Sequence, residues 1–271
     1  IYPGHNYGSK PTMTISENIK IEIDKFISVI DKDMLNILLV STDYLGMNIL
    51  HNICCEKFAD MYIKGMSVEE IDSLTGPIIG RPKSATFRTS DIVGLDTLNS
   101  VADGVYNNCL DDEQRSIFSL PSFIQKMLTN KWLGDKTKQG FYKKDRDKKG
   151  NRKILSLNLK NFEYSEKKKT KFETIARAKK INKLKKRLNI LIEGTDKAAV
   201  FYKKMFAFMF SYVAHRVPEI TDDIYKIDAA MCAGFGWKMG PFEMWDCIGI
   251  RNGITLIQKE EHKLPHWLNN I

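Results

Sequence analysis

Three stretches of this 271-residue sequence hold residue types and spacings that could do chemistry. The first, AGFGWKMG, spaces its glycines as Gly234-x-Gly236-x-x-x-Gly240, superficially like the loops that let a pyrophosphate approach backbone N–H groups. Such a loop needs a strand before it and a helix after it. Here Ile224, Ile227, Ala230 and Met231 precede it at helical spacing. The segment therefore reads as a turn between two helices, with Pro241 opening the second. The second stretch, YPGHNYG, presents His5, but one imidazole does not hold a zinc ion and three or four ligands do. His51, His215, His262 and His266 are scattered, and none of the five cysteines forms a C-x-x-C pair. No metal site is expected, and no nucleophile–base–acid set can be read.

The third stretch is basic. Residues Lys143 to Arg187 carry 19 Lys/Arg against 5 Asp/Glu, so the rest of a chain of net charge +9 sums to −5. Lys167-Lys168-Lys169 and the AKKINKLKKRL run could grip phosphates of nucleic acid, lipid or cofactor. Phe172, Ile175, Ile181, Leu184 and Leu188 instead give the run an apolar stripe with lysines opposite, and aromatic interleaving is thin. It reads as a solvated face, and no nucleic-acid partner is expected. The longest apolar run, Met205 to Ala214, is about half a membrane span, so no membrane partner is expected either. An odd cysteine count points to a reducing, cytoplasmic setting.

The elements that must position these residues are mostly helical. Residues 15–31 have helical character, and Asn36 to Val40 reads as a short buried strand. From Asp43 the period is helical to Lys64. Ser67-x-x-Glu70 is a capping box that starts a helix at Val68, and Ser119-Leu-Pro121 announces another running to about Thr129. GFYKK, then DKKGNRK, then ILSLNL spell a hairpin. Lys171 to Arg187 reads as one basic helix, and Asp196 to Val217 as a long apolar helix ended by Pro218. A weak internal repeat runs through this pattern: Ile71-Asp72 answers to Ile227-Asp228, Gly80 to Gly236, and Phe87…Asp91-x-x-Gly94 to Phe242…Asp246-x-x-Gly249.

Three strings resemble the C-terminal part of the 3-hydroxyacyl-CoA dehydrogenase family. These are LTGP with GRPKSATFRTSDIVGLDTL (to Leu98), LGDKTKQGFYKK (Leu133–Lys144) and AMCAGFGWKMGPFEMWDCIG (Ala230–Gly249). The order is the family's, over roughly residues 14–255, and the two-unit layout is similar to the long bacterial form. Residues 1–12 separately resemble the late PGH loop of metallo-β-lactamase-fold hydrolases, without the H-x-H-x-D-H cluster those enzymes need.

The family resemblance implies hydride transfer between C3 of a 3-hydroxyacyl-CoA and NAD in fatty-acid beta-oxidation. In the family a His–Glu pair in a Rossmann half handles the proton, and an Asn from the helical half positions the substrate oxygen. Aligning the family's D-T-P-G-F-I-x-N-R places that Asn on Asn48, with Asp43 in place of the Pro and Ile49 in place of the Arg. By the same register the family's Glu falls near Tyr7 and its His before residue 1, so the His5–Glu17 spacing is a coincidence. The chain is expected to be the helical part with two tandem units, lacking the Rossmann domain. Activity alone and NAD binding by this chain alone are not expected. Arg81 and Lys83, after the Gly80 turn, are the expected anion contacts for an acyl-CoA substrate.

The expected fold is mainly α: two homologous helical units, like the C-terminal domain of 6-phosphogluconate dehydrogenase. A basic linker with a small β-hairpin joins them, and a short remnant of an α/β domain stands at the N-terminus. The boundaries are 1–42 for the remnant, 43–142 for the first unit, 143–195 for the linker and 196–271 for the second unit. A monomer with an internal pseudo-two-fold is expected, with acyl-CoA and a separately encoded Rossmann domain as partners. The rival expectation is a non-catalytic acyl-CoA- or protein-binding scaffold derived from the family.

Overall fold

The computed structural model describes residues 66–166 and 171–270. The helices expected over 15–31 and from Asp43, the Asn36–Val40 strand, the 1–42 remnant, His5 and Asn48 lie outside the described residues.

Helix α1 (Val68–Thr75) begins where the capping box puts it. The Ser67 amide donates to Glu70 Oε2 at 2.8 Å, and the Glu70 amide donates to Ser67 Oγ at 3.3 Å. A 3-10 turn, Pro77–Ile79, closes on Gly80 in the left-handed region (φ 78°) and leads to α2 (Phe87–Val93). Gly94, at φ 101°, separates α2 from α3 (Leu95–Asn108). After a second 3-10 turn (Arg115–Phe118), α4 (Ser122–Thr129) follows Pro121, as its sequence announces.

The hairpin forms as β1 (Tyr142–Arg146) and β2 (Arg152–Asn158), antiparallel with Tyr142 opposite Ser156. A third strand, β3 (Glu163–Glu166), extends the sheet in the order β1-β2-β3. Its EYSE sequence has no apolar alternation to announce it. Cross-strand bonding to β2 and Tyr164 packing on Trp132 (5.6 Å between rings) hold it there.

Two helical expectations are corrected. The single Lys171–Arg187 helix is two helices, α5 (Glu173–Ala178) and α6 (Leu184–Glu193), broken at Lys179–Lys183. Arg187 stabilises the break, its guanidinium donating to Ile181 O at 2.9 Å and, on another element, to Pro77 O and Ile78 O at 3.2 Å. The basic segment is thus solvated on one face only; Leu188 and Leu191 of α6 are fully buried. The long helix α7 runs Lys197–Ile220, past Pro218. Proline brings no N–H for the carbonyl four residues back, and that carbonyl, Ala214 O, accepts instead from Trp267 Nε1 at 3.0 Å.

Helix α7 is the centre of the core, which is why its sequence is apolar all round. Tyr202, Phe206 and Phe210, four residues apart, stack at 6.0 and 5.6 Å, and Phe210 continues the stack onto Trp245 at 4.9 Å. The Tyr202 hydroxyl donates to Leu74 O at 2.8 Å, tying α7 to α1. Around α7 pack α5, α6, α9 (Pro241–Ile248) and α10 (Ile250–Lys259); α8 (Ile224–Phe235) packs on α9. The described residues are mainly helical with one small antiparallel sheet.

Candidate functional site

The site is built on a buried carboxylate. Asp72, on the inner side of α1, meets the start of α2. Its Oδ1 accepts from the amides of Thr86 (3.1 Å) and Phe87 (2.7 Å), and its Oδ2 from the Arg88 amide (3.1 Å) and the Tyr142 hydroxyl (2.7 Å). Burial outweighs these hydrogen bonds and pushes its carboxyl up to about 6. The Tyr142 phenol is raised far above its ordinary value, by burial first and the Asp72 charge second.

One turn along α2, Asp91 fixes the hairpin. It accepts from the amides of Phe141 and Tyr142, one on each oxygen, both at 2.8 Å. Burial is again the largest effect, raising Asp91 to about 7. The glycines of the G-x-K-T-x-x-G string follow from this contact. A Cβ on Gly140 would stand 2.0 Å from Asp91 Oδ1, and one on Gly134 would stand 2.2 Å from Asp91 O.

Between α1, the loop carrying Lys83, the hairpin and α5 lies a groove of about 1070 Å³, with Asp72 and Tyr142 in its lining. Arg88 and Asp135 form a two-pronged ion pair in it, at 2.8 and 2.6 Å, which holds the Asp135 carboxyl below its ordinary value. Lys144 adds a longer contact to Asp135 at 3.8 Å. Lys83, Lys138, Lys171 and Lys179 also line the groove.

The structure separates the two expected anion contacts. Lys83 is exposed and lines the groove. Arg81 does not line it: the side chain is only 8% exposed, with its guanidinium carbon 4.1 Å from the Trp237 ring centre. Its Nη2 reaches Met209 Sδ at 3.5 Å, its Nε has no hydrogen-bond partner among the described residues, and burial lowers it to about 9. The neighbouring Gly80 carbonyl accepts from the Lys238 amide at 2.9 Å, so the two glycine turns clasp each other at this point.

The second glycine turn is a helix–helix turn, as read from sequence. Gly236 ends α8 in the left-handed region and Pro241 opens α9. Asp228 of α8 accepts from the Phe242 amide at 2.8 Å and the Glu243 amide at 2.7 Å. Burial raises its carboxyl to about 6. The N–H groups that would receive a pyrophosphate at the starts of α2 and α9 are thus already taken by Asp72 and Asp228. Among the described residues, neither of these two helix starts offers those amides to a ligand. Nor, among the described residues, do three or more His, Cys, Asp or Glu gather where they could hold a metal ion. No described helix is long and apolar enough to cross a membrane.

Asp72, Asp91 and Tyr142 were not singled out as site residues by sequence reasoning. The signal for the two aspartates was present, since both lie at matched positions of the internal repeat. Tyr142 and Lys138 lie in the LGDKTKQGFYKK string, but nothing in that string announces that both reach one groove.

A helical domain with these strings at these turns defines a class, and comparison with known proteins identifies it. The family model for the 3-hydroxyacyl-CoA dehydrogenase C-terminal domain matches residues 44–144 and 201–267. The chain belongs to this family. A "Probable 3-hydroxyacyl-CoA dehydrogenase" of Bacillus subtilis (strain 168) is 40% identical over 212 residues, covering 78% of this chain and 26% of the relative. A protein of the same description from Deinococcus radiodurans is 45% identical over 85 residues, 31% of this chain and 24% of that protein. A "Putative fatty acid oxidation complex trifunctional enzyme" of Rickettsia felis is 27% identical over 206 residues, 74% of this chain and 27% of the relative. The chain thus spans about a quarter of the length of each of these relatives.

Proposed function

We propose that these residues form the helical half of an NAD-dependent 3-hydroxyacyl-CoA dehydrogenase of fatty-acid oxidation, which turns over only together with a nucleotide-binding half. The reading further holds that the helical part is two homologous units, arranged as a monomer with an internal pseudo-two-fold. One observation carries the division of labour: Asp72 and Asp228 occupy the helix starts that a dinucleotide would need. The hydride chemistry and the proton-accepting pair then belong to the nucleotide-binding half. From this chain, Asn48 positions the substrate oxygen and Lys83 holds the anionic end of the acyl-CoA. Arg81 acts from behind, fixing the turn that presents Lys83.

The two-unit reading is supported by matched geometry. Asp72 and Asp228 each bind the start of the following helix, Gly80 and Gly236 share the left-handed region, and Gly94 and Gly249 take φ of 101° and 94° before the next helix. The family model also matches in two segments.

The test is a spectrophotometric assay with NADH and acetoacetyl-CoA. The chain alone is expected to oxidise no NADH, and addition of the nucleotide-binding half of a dehydrogenase relative is expected to restore oxidation. Turnover by the chain alone overturns the division of labour. Acetoacetyl-CoA binding with no restored turnover favours the non-catalytic scaffold.

A further inference from the structure

The groove beside α1 contains four acidic and six basic side chains, and the two sets are not in the same state. The acids are engaged. Asp72 accepts three amides and the Tyr142 hydroxyl, Asp135 is held by Arg88 and approached by Lys144, and Glu70 accepts the Ser67 amide of its own capping box. Glu69 also has a partner. Of the bases, Arg88 and Lys144 face Asp135. Lys83, Lys138, Lys171 and Lys179 form no ion pair with a described residue. Four exposed ammonium groups, from the Lys83 loop, the turn at Lys138 and the two ends of α5, thus border one concavity with no described carboxylate paired to them. Counted charge nearly balances, but the charge left to meet a ligand is positive.

The remaining lining suits more than a simple ion. Ile154, on β2, is 49% exposed and offers an apolar surface in the same groove. At about 1070 Å³ the groove is far larger than phosphate and of the size that takes cofactor-like molecules. Lysine is a point donor that serves phosphate without demanding one geometry, as a ligand with several phosphate groups requires.

We propose that this groove binds the phosphorylated nucleotide end of coenzyme A, with Lys83, Lys138, Lys171 and Lys179 against its phosphates and Ile154 against its apolar surface. The assignment rests on the acyl-CoA reading above for the identity of the ligand, and on the groove alone for the place. It extends that reading from Lys83 to three lysines, two of them in the segment 143–195. It also gives part of that segment a role at the substrate.

Titration calorimetry on the 271-residue chain tests it, with coenzyme A, dephospho-coenzyme A and pyrophosphate as the probes. Coenzyme A is expected to bind, and the form lacking the 3′-phosphate to bind about tenfold more weakly, the value of one charge-assisted contact. The Lys138→Glu/Lys171→Glu pair is expected to weaken coenzyme A about tenfold or more at an unchanged melting temperature. Lys180→Glu, in the same basic segment but off the groove, is expected to leave binding unchanged. Should the charge reversals lower the melting temperature, Lys83→Ala/Lys179→Ala is the second pair, with the same loss expected. Binding unaffected by both pairs overturns the site while leaving the acyl-CoA reading intact. Absence of binding by coenzyme A, or pyrophosphate binding as tightly as coenzyme A, overturns the nucleotide assignment. Failure of the reconstituted assay with lysine-dependent coenzyme A binding intact strikes the dehydrogenase reading instead.

Discussion

The turn from α1 to α2 and the turn from α8 to α9 are built on one plan and finished differently. Both use a partly buried aspartate to hold the next helix start, then a glycine of positive φ before the helix after that. In the first, Ser90 occupies the inner face of α2, and Asp91 is buried so as to carry the hairpin on two amides. In the second, Trp245 stands where Ser90 does and fills the centre against Phe210. The following helix makes room for it: Gly253 takes the place of Leu98, and a Cβ there would fall 2.0 Å from Trp245 Nε1. Asp246, the counterpart of Asp91, is exposed. The first turn uses its aspartate to hold the hairpin, and the second uses its indole to fill the core.

Substitutions that break each finish should therefore differ in kind. Trp245→Ala removes a 1%-exposed indole and its stack, so denaturant unfolding should show a loss of about 3–5 kcal/mol. Asp91→Asn keeps the shape but can accept only one of the two amide bonds. It should cost about 1–3 kcal/mol, while Asp246→Asn should stay within about 0.5 kcal/mol. Equal losses at the two positions would erase the distinction.

The buried aspartates also give the comparison a pH signature. Asp72, Asp91 and Asp228 are raised to about 6, 7 and 6. Unfolded carboxyls ionise near 4, so from there to about pH 7 the folded chain binds more protons than the unfolded one. These three groups should make the melting temperature fall as pH rises through that window, and Asp91→Asn should flatten the upper part of the fall. A rise that Asp91→Asn leaves unchanged would contradict the burial argument. Smaller still, Ser67→Ala should cost about 1 kcal/mol through the lost cap of α1. Arg88→Ala, which removes an ion pair whose side chains are about a third or more exposed, should cost less than about 1 kcal/mol.

Much of this frame was legible. The capping box at Ser67, the hairpin and the apolar run of α7 are local patterns, and local patterns place elements. The matched Ile-Asp, Gly and Phe…Asp-x-x-Gly positions also carried the paired turns. What escaped was set by contacts distant in sequence. Strand β3 exists because β2 and Trp132 are there to receive it. The helix break at Lys179–Lys183 depends on Arg187 reaching carbonyls more than a hundred residues earlier. Pro218 stays helical because Trp267 satisfies the carbonyl it abandons. Arg81 looked like a surface cation because nothing near it in sequence announces Trp237.

The bond from the Tyr202 hydroxyl to Leu74 O, and the one from Arg81 to Met209, each join residues 128 apart. During synthesis the first paired turn leaves the ribosome long before the helix that covers it. At the pace of translation α7 follows after roughly 6–25 s, and for that time the Leu74 carbonyl and the Arg81 guanidinium lack these partners. The nascent chain is most exposed to wrong partners in that interval, so conditions that slow translation between residues 80 and 200 should raise its demand for chaperones.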